Sequence, residues 1–342
     1  MCEEYDITIF TIYAKGELEK QLSQKVKLKS LYDKPYVELS KFQRKIAMPL
    51  KILLTQKVIY HKKIKEDYDI EIAFLEGAIT RILSTKNRNT KKIAWVHNDI
   101  SLVFGKGIKA KLKKKIDAKI YAKYQKLIFV SKENQEKFEK VYNNLKNIDK
   151  EVIYNYIDQN SIVEKAKENL DISLNKDTIN FVTVARLVEQ KAIDRLIEVH
   201  SQLVEQGLKH HFYVIGDGPE KDNLQQLIKK KNVENTFHLL GKKENPYPYI
   251  KAGDYFCLLS HFEGYPMVLL EAQILQKPIV ITDTSARETL QNYEDYQIAE
   301  NSAEGIYQTL KEIIENSKTE KTPRKEYSNQ DLLGKIKRLL EN

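Results

Sequence analysis

Cysteine is nearly absent from this 342-residue chain: Cys2 and Cys257 are the only two, with no Cys-x-x-Cys and no histidine cluster near either. That excludes a disulfide framework and a structural zinc site, and it makes a reducing cytoplasm the expected setting. No apolar run approaches the ~18–20 residues that a membrane-spanning helix needs. The opening MCEEYDITIF is acidic and lacks the basic flank and apolar stretch of a secretory leader. Low-complexity sequence is also missing. With 42% hydrophobic and 31% charged residues, the composition is that of a globular protein rather than a disordered one. The length suits two α/β domains of roughly 150 residues each better than one core.

Charge is present, and it is unevenly placed. Residues 1–155 hold 33 Lys and Arg against 19 Asp and Glu, a net of +14; residues 156–342 hold 24 against 29, a net of −5. A basic half joined to a mildly acidic half implies two modules with different partners. An anionic membrane, a phosphorylated acceptor and nucleic acid are the candidates for the basic half. Nucleic acid is set aside because no aromatic-rich strand or groove helix accompanies the lysines.

Apolar strands alternate with amphipathic helical stretches, the pattern of a doubly wound α/β fold with mainly parallel sheets. In the first half strands are expected at DITIFTIY, DIEIAFL, KIAWVHN, KLIFVS and EVIYN, with a long helix over 41–65 broken at Pro49. In the second half they are expected at TINFVTVA, HFYVIGD, TFHLL, DYFCLLS and PIVIT, followed by a helix near Ala303–Asn316. The expected domains are 1–155 and 156–326, with a closing helix within 327–342. Of only 12 glycines, Gly216, Gly218, Gly241, Gly253 and Gly264 fall close together, most of them just after a predicted strand. Ligands bind at that end of an open α/β sheet, because loops and helix starts there direct N–H groups at anions. The second half is therefore expected to build most of the site.

Three segments carry candidate chemistry. HFEGYPMVLLEAQ, residues 261–273, runs from a strand end through Gly264 into a helix, with Pro266 suited to its first turn. Glu263 in the loop and Glu271 in the helix can accept hydrogen bonds from sugar hydroxyls, and the free amides of the helix start can hold a sugar or phosphate oxygen. A surface loop with one dipole-complementing glutamate is the plainer reading of the same residues. VARLVEQK places Arg186 just past an apolar strand and Lys191 five residues on. A planar guanidinium fork and a mobile ammonium suit a diphosphate. VIGDGP, with Gly216 and Gly218, is read as a tight strand-to-helix turn that needs no ligand.

RLVEQK, IGDGP, HLLGK and S-x2-EG-x-P-x-VLLEA, in this order, resemble the retaining glycosyltransferases of family 4. The resemblance runs from about Val152 to Gln291 and more faintly back through WVHN and FVS. It implies the GT-B fold, two Rossmann-like domains with a deep interdomain cleft. It also implies transfer of a hexosyl unit, with retention and without a metal or other cofactor, from a nucleotide diphosphate sugar, here a uridine one. The acceptor would be a glycan or a lipid-linked sugar in capsule, exopolysaccharide or cell-wall synthesis. Carried over, Glu271 would bind the ribose hydroxyls. Glu263 with the backbone of Gly264, Tyr265, Pro266, Met267 and Val268 would hold the donor sugar. Arg186 and Lys191 would bind the diphosphate, Leu240 would lie beside the base, and His97 in WVHN would stand near the acceptor and the reacting centre.

The chain departs from that family at its start. DITIFTIY resembles the family's second strand, so the usual first strand-loop-helix unit is missing, which keeps a non-catalytic partner subunit open as an alternative. A nucleotide-sugar epimerase of the same fold is another. A glycoside hydrolase fits poorly, since eight residues of helix would separate the two glutamates by ~12 Å and the neighbouring cations have no role in hydrolysis. In residues 104–126, Phe104, Ile108, Leu112, Ile116, Ile120 and Tyr124 recur every four positions among nine lysines, opposed only by Asp117. This reads either as a helix lying on an anionic leaflet, on the inner face of the cell membrane, or as a core-facing stripe with a solvated basic back.

Overall fold

The computed structural model describes residues 2–16, 19–85, 89–98, 100, 107–316 and 332–341. Two compact units result, Met1–Val152 and Ile153–Asn342. The division falls three residues ahead of the 155/156 boundary.

The first unit opens with β1 (Thr8–Tyr13) and β2 (Lys27–Tyr32), which pair in parallel as a sheet of two. A π turn, Gln43–Ala47, leads into α1 (Met48–Lys63). Pro49 does not break this helix. The helical run is continuous from Lys41, and the π turn directly before Pro49 widens the backbone where the proline nitrogen cannot donate. The irregular residue is Thr55 (φ −118°, ψ 15°), whose hydroxyl donates to the Lys51 carbonyl at 2.7 Å. Then come β3 (Ile70–Ala73), α2 (Ala78–Leu83), β4 (Lys91–Val96), α3 (Ile108–Tyr121), β5 (Lys126–Phe129), α4 (Lys132–Val141) and β6 (Asp149–Val152). Strands β3 to β6 form a second parallel sheet in sequential order. The described residues of the first unit thus form two separate parallel sheets. Among the described residues, no strand pairs with the outer edge of β1 or of β3.

Helix α3 corrects the stripe drawn from the sequence. Ile120 and Tyr124 are buried, as are Ala110, Ala118 and Tyr121, but Ile108, Leu112 and Ile116 are 87%, 61% and 42% exposed. At 3.6 residues per turn, every four-residue step rotates a stripe by about 40°. By Ile120 it has therefore turned about 120° from Ile108, and only its end reaches the core. Phe104 lies outside the described residues.

The second unit continues with α5 (Gln159–Lys165), β7 (Ile179–Val184), α6 (Ile193–Glu205), β8 (His210–Ile215), α7 (Lys221–Lys230) and β9 (Phe237–Gly241). It ends with α8 (Tyr247–Ala252), β10 (Tyr255–Leu258), α9 (Met267–Ile274), β11 (Ile279–Thr282), β12 (Tyr296–Ala299), α10 (Ala303–Glu315) and α11 (Leu332–Glu341). All six strands are parallel, in the order β12-β11-β10-β7-β8-β9. Successive residues feed opposite faces: Phe181, Phe212 and Cys257 enter one core, Val182, Tyr213 and Phe256 the other. A sheet buried on both faces requires the unbroken apolar runs seen in the sequence. Burial pushes the Cys257 thiol well above its ordinary range, which leaves it inert.

At the start of β8, away from the strand ends that carry Arg186 and Glu263, two buried histidines meet. His200 Nδ1 and His210 Nε2 are 2.8 Å apart, His200 Nε2 is 2.8 Å from the Thr236 hydroxyl, and His210 Nδ1 is 3.0 Å from the Leu208 carbonyl. A carbonyl only accepts, so His210 donates from Nδ1 and accepts from His200 Nδ1, which leaves His200 Nε2 as an acceptor facing the Thr236 hydroxyl, whose proton is shared with the Val233 carbonyl at 3.3 Å. Every position is filled with both rings neutral, and burial holds both well below the ordinary histidine range. Below about pH 6.5 the unfolded chain takes up protons that these rings refuse, so stability falls as pH falls. At pH 5.5 the loss is about 1.4 kcal/mol per histidine. Thermal unfolding across pH 7.5 to 5.5 is expected to show a falling midpoint that begins near 6.5. A flat profile there contradicts the assignment.

Candidate donor-binding site

The strand order of the second sheet reverses between β7 and β10: β8 and β9 extend one way from β7, β11 and β12 the other way from β10. At such a switch point the two outgoing loops part and leave a crevice at the C-terminal edge. Those two loops are the ones that carry Arg186 with Lys191, and Glu263.

Lys191 closes a 3-10 turn, Glu189–Lys191, and Ala192 then takes a left-handed conformation (φ 50°) to start α6. This turn aims the Lys191 ammonium across the switch point at Glu263, with Nζ 2.5 Å from Oε1. The two side chains are only 17% and 5% exposed. Gln190 ties the same loops together: its side-chain amide donates to the Phe262 carbonyl at 2.9 Å, and its backbone carbonyl accepts from the His261 N–H at 2.9 Å. Arg186 stands on the same β7 loop and is exposed. An ammonium has three donors, so Lys191 can hold Glu263 and still offer N–H groups to a phosphate.

The glycines of VIGDGP bring the β8 loop against this one. A Cβ on Gly216 would lie 1.8 Å from the Ala185 carbonyl oxygen, and one on Gly218 would lie 2.3 Å from that of Leu187. The Leu187 N–H donates to the Asp217 carbonyl at 3.0 Å. Their role is close backbone approach beside Arg186. Leu240, at the end of β9, is partly exposed and packs on the same core as Val184 and Val268.

On the other side, Pro266 (ψ 113°) precedes α9 with no side-chain cap, so the amides of Met267 and Val268 have no partner within the helix. Gly264 supplies the turn before it, and the Tyr265 ring stacks on Tyr154 with centroids 5.2 Å apart. Glu271 lies one turn into α9, and burial raises its carboxyl to about 7. Burial of the Tyr247 ring, and after it the nearby Glu271 charge, push the Tyr247 hydroxyl up to about 12. Among the described residues no three His, Cys, Asp or Glu side chains cluster as the ligands of one metal ion would.

His97 belongs to the first unit, just past β4. Its ring packs on Phe74 (4.7 Å between centroids) and parallel to Trp95, and burial lowers its affinity for a proton. Its Nε2 is buried without a hydrogen-bond partner. A neutral imidazole with a bare nitrogen can accept a proton. Glu76 was missed in the sequence: its carboxylate accepts the N–H of His97 and, at 2.7 Å, that of Asn98, which fixes the backbone at the end of WVHN. Gln190 was missed too, although it lies inside RLVEQK.

Fold and site together define an α/β protein of two parallel-sheet units, with cations and carboxylates gathered at the switch point of the second. Residues 164–330, just under half of the chain, match the model of the family Glycosyl transferases group 1, and the fold is that of the GT-B glycosyltransferases. It is 28% identical over 294 residues to an uncharacterized glycosyltransferase of Methanocaldococcus jannaschii, covering 83% of this chain and 70% of that one. It is 35% identical over 174 residues to the N-acetylgalactosamine-N,N'-diacetylbacillosaminyl-diphospho-undecaprenol 4-alpha-N-acetylgalactosaminyltransferase of Campylobacter jejuni, covering 50% of this chain and 46% of the relative. The match thus spans less than half of that relative's length. The Anabaena HepE structure in complex with UDP and glucose superposes with a TM-score of 0.66 at 17% identity, covering 91% of this chain and 82% of that one. At that identity the likeness speaks for the fold alone.

Proposed function

We propose that this chain is a retaining, metal-independent hexosyltransferase that takes its hexosyl unit from a uridine diphosphate (UDP) sugar, releases UDP, and passes the unit to a glycan or lipid-linked acceptor. The observation that carries this reading is the 2.5 Å contact between Lys191 and Glu263 across the switch point, with Arg186 on the same loop. Breaking the sugar–diphosphate bond leaves positive charge on the sugar and negative charge on the departing phosphate. Arg186 and Lys191 stabilise the second of these, and Lys191 is already held in place by Glu263 before the reaction begins, which is where electrostatic catalysis gains most. Glu263, with the Gly264 to Val268 backbone, orients the sugar, and Glu271 takes the ribose hydroxyls. His97 stands ready to receive the acceptor's proton, and same-face attack gives retention. Capsule, exopolysaccharide or cell-wall synthesis is the setting, and the O-antigen enzymes among the relatives fit it. We further place the protein on the inner face of the cell membrane, with residues 108–121 of the 104–126 segment presenting exposed Ile108, Leu112 and Ile116 beside lysines.

The test is product analysis after incubation with UDP-hexoses, with and without glycan or lipid-linked acceptors. Transfer with the donor's anomeric configuration kept supports the proposal. UDP binding without turnover identifies a non-catalytic subunit, and a changed nucleotide sugar formed without acceptor identifies an epimerase.

A pH dependence follows from Glu271. Only the ionised carboxylate accepts hydrogen bonds from both ribose hydroxyls, so donor affinity should rise with pH through about 7. Below that value it should fall by up to about tenfold per unit. A UDP-hexose does not titrate in this range, so its dissociation constant from pH 5.5 to 8.5 reports the protein. Glu271→Gln is expected to flatten the profile, and an equal slope in that variant rules the assignment out.

A further inference from the structure

The segment from Lys41 to Lys63 is apolar on two sides, which is unusual for a helix at a protein surface. One side is used: Ile52 and Tyr60 are buried with Leu31 of β2 and Ile82 of α2. The other side is not. Phe42 is 64% exposed, Ile46 54%, Leu50 51%, Leu54 73% and Val58 51%. These five recur every four residues. In a regular helix such a stripe would rotate away; the π turn at 43–47 holds more residues per turn and offsets part of the drift, and the backbone is irregular again at Thr55.

The same segment carries seven Lys or Arg residues and no Asp or Glu. Lys41, Lys57, Lys62 and Lys63 are exposed along it. No helix among the described residues is long and apolar enough to cross a bilayer. A helix with a broad apolar face, a wholly basic flank and too little apolar length to span is suited to lying in the interface of an anionic leaflet. A soluble protein partner would have to be both apolar and acidic to match this surface. The exposed end of the α3 stripe shows that the first unit repeats the chemistry on a second helix.

We infer that the Phe42–Val58 face is the principal bilayer-docking surface of the first unit, to which the α3 stripe only adds: its apolar residues enter the acyl boundary of an anionic membrane while the flanking lysines meet lipid phosphates. This goes beyond the sugar-transfer reading and holds whether or not that reading does. The occupant is the bilayer itself, not a particular lipid carrier.

Flotation of the full chain with phosphatidylcholine vesicles, with and without about one-third phosphatidylglycerol, tests it. The wild-type chain should float with the anionic vesicles and lose that binding at high salt. Leu50→Glu/Leu54→Glu should reduce the bound fraction by about tenfold or more. Both side chains are exposed, so the thermal midpoint should not move. Turnover of a UDP-hexose in solution should also stay at the wild-type level, which separates this claim from the catalytic one. Ile108→Glu/Leu112→Glu separates the two helices. If that variant alone loses binding, α3 is the docking element and the inference fails. It fails equally if the wild-type chain ignores the vesicles, if it binds only vesicles doped with a polyprenyl diphosphate, or if sedimentation shows a dimer that the α1 variant dissociates.

Discussion

Lys191→Ala is expected to cut donor turnover about 100- to 1000-fold, the ~2.7–4 kcal/mol that one preorganised electrostatic contact to a transition state is worth. Two losses combine in it. The departing diphosphate loses a cation, and Glu263, 5% exposed, loses the partner that fixes it against the sugar. Arg186→Ala should fall in the same range by the first loss alone, because Arg186 is exposed and supports nothing else in the fold. Steady-state turnover of a UDP-hexose checks both variants, with thermal midpoints measured alongside to show that Lys191→Ala stays folded. A loss under tenfold in either variant removes that cation from the mechanism.

The largest effect on stability should come from Glu71→Ala, far from the donor site. In the first unit the Lys92 ammonium lies 2.6 Å from Glu71, with the two side chains 4% and 5% exposed. The Tyr60 hydroxyl donates to the other carboxylate oxygen at 2.5 Å, and Lys92 also sits 4.6 Å from the centre of the Tyr60 ring. Removing Glu71 strands a buried ammonium, a change that typically costs about 3–5 kcal/mol. For a unit of this size the midpoint should fall by about 6–20 °C. Glu71→Ala/Lys92→Met should regain most of that, since no buried charge is then left unpaired. If the single and double variants unfold together, the charge is not what makes the site costly.

What the sequence made legible follows the physics of each element. The runs NFVTV, FYVIG, YFCLL and IVIT sit in a sheet buried on both faces, where only apolar residues fit, so they could be read directly. Strand β2, KLKSLY, escaped because it belongs to a sheet of two, carries two lysines and exposes Leu28, so no clear apolar alternation marks it. Strand β12, YQIA, escaped because it is a half-exposed edge. The stripe through Ile108 followed a four-residue step that a 3.6-residue helix does not sustain. At the site, Arg186, Lys191, Glu263 and Glu271 could be named from spacing and resemblance. The contact of Lys191 with Glu263 could not, because 72 residues separate them and only the adjacency of β7 and β10 brings them together. Glu76 and Gln190 act on backbone atoms of other loops, and such contacts leave no periodic trace in the chain.

The central claim is that one pocket at the β7/β10 switch point holds the whole donor, and a crystal structure of the full chain with UDP bound tests it most directly. The phosphates should lie within about 3 Å of the Arg186 guanidinium and the Lys191 ammonium, with the ribose hydroxyls on Glu271. A nucleotide seated elsewhere, or a diphosphate that touches neither cation, contradicts the account.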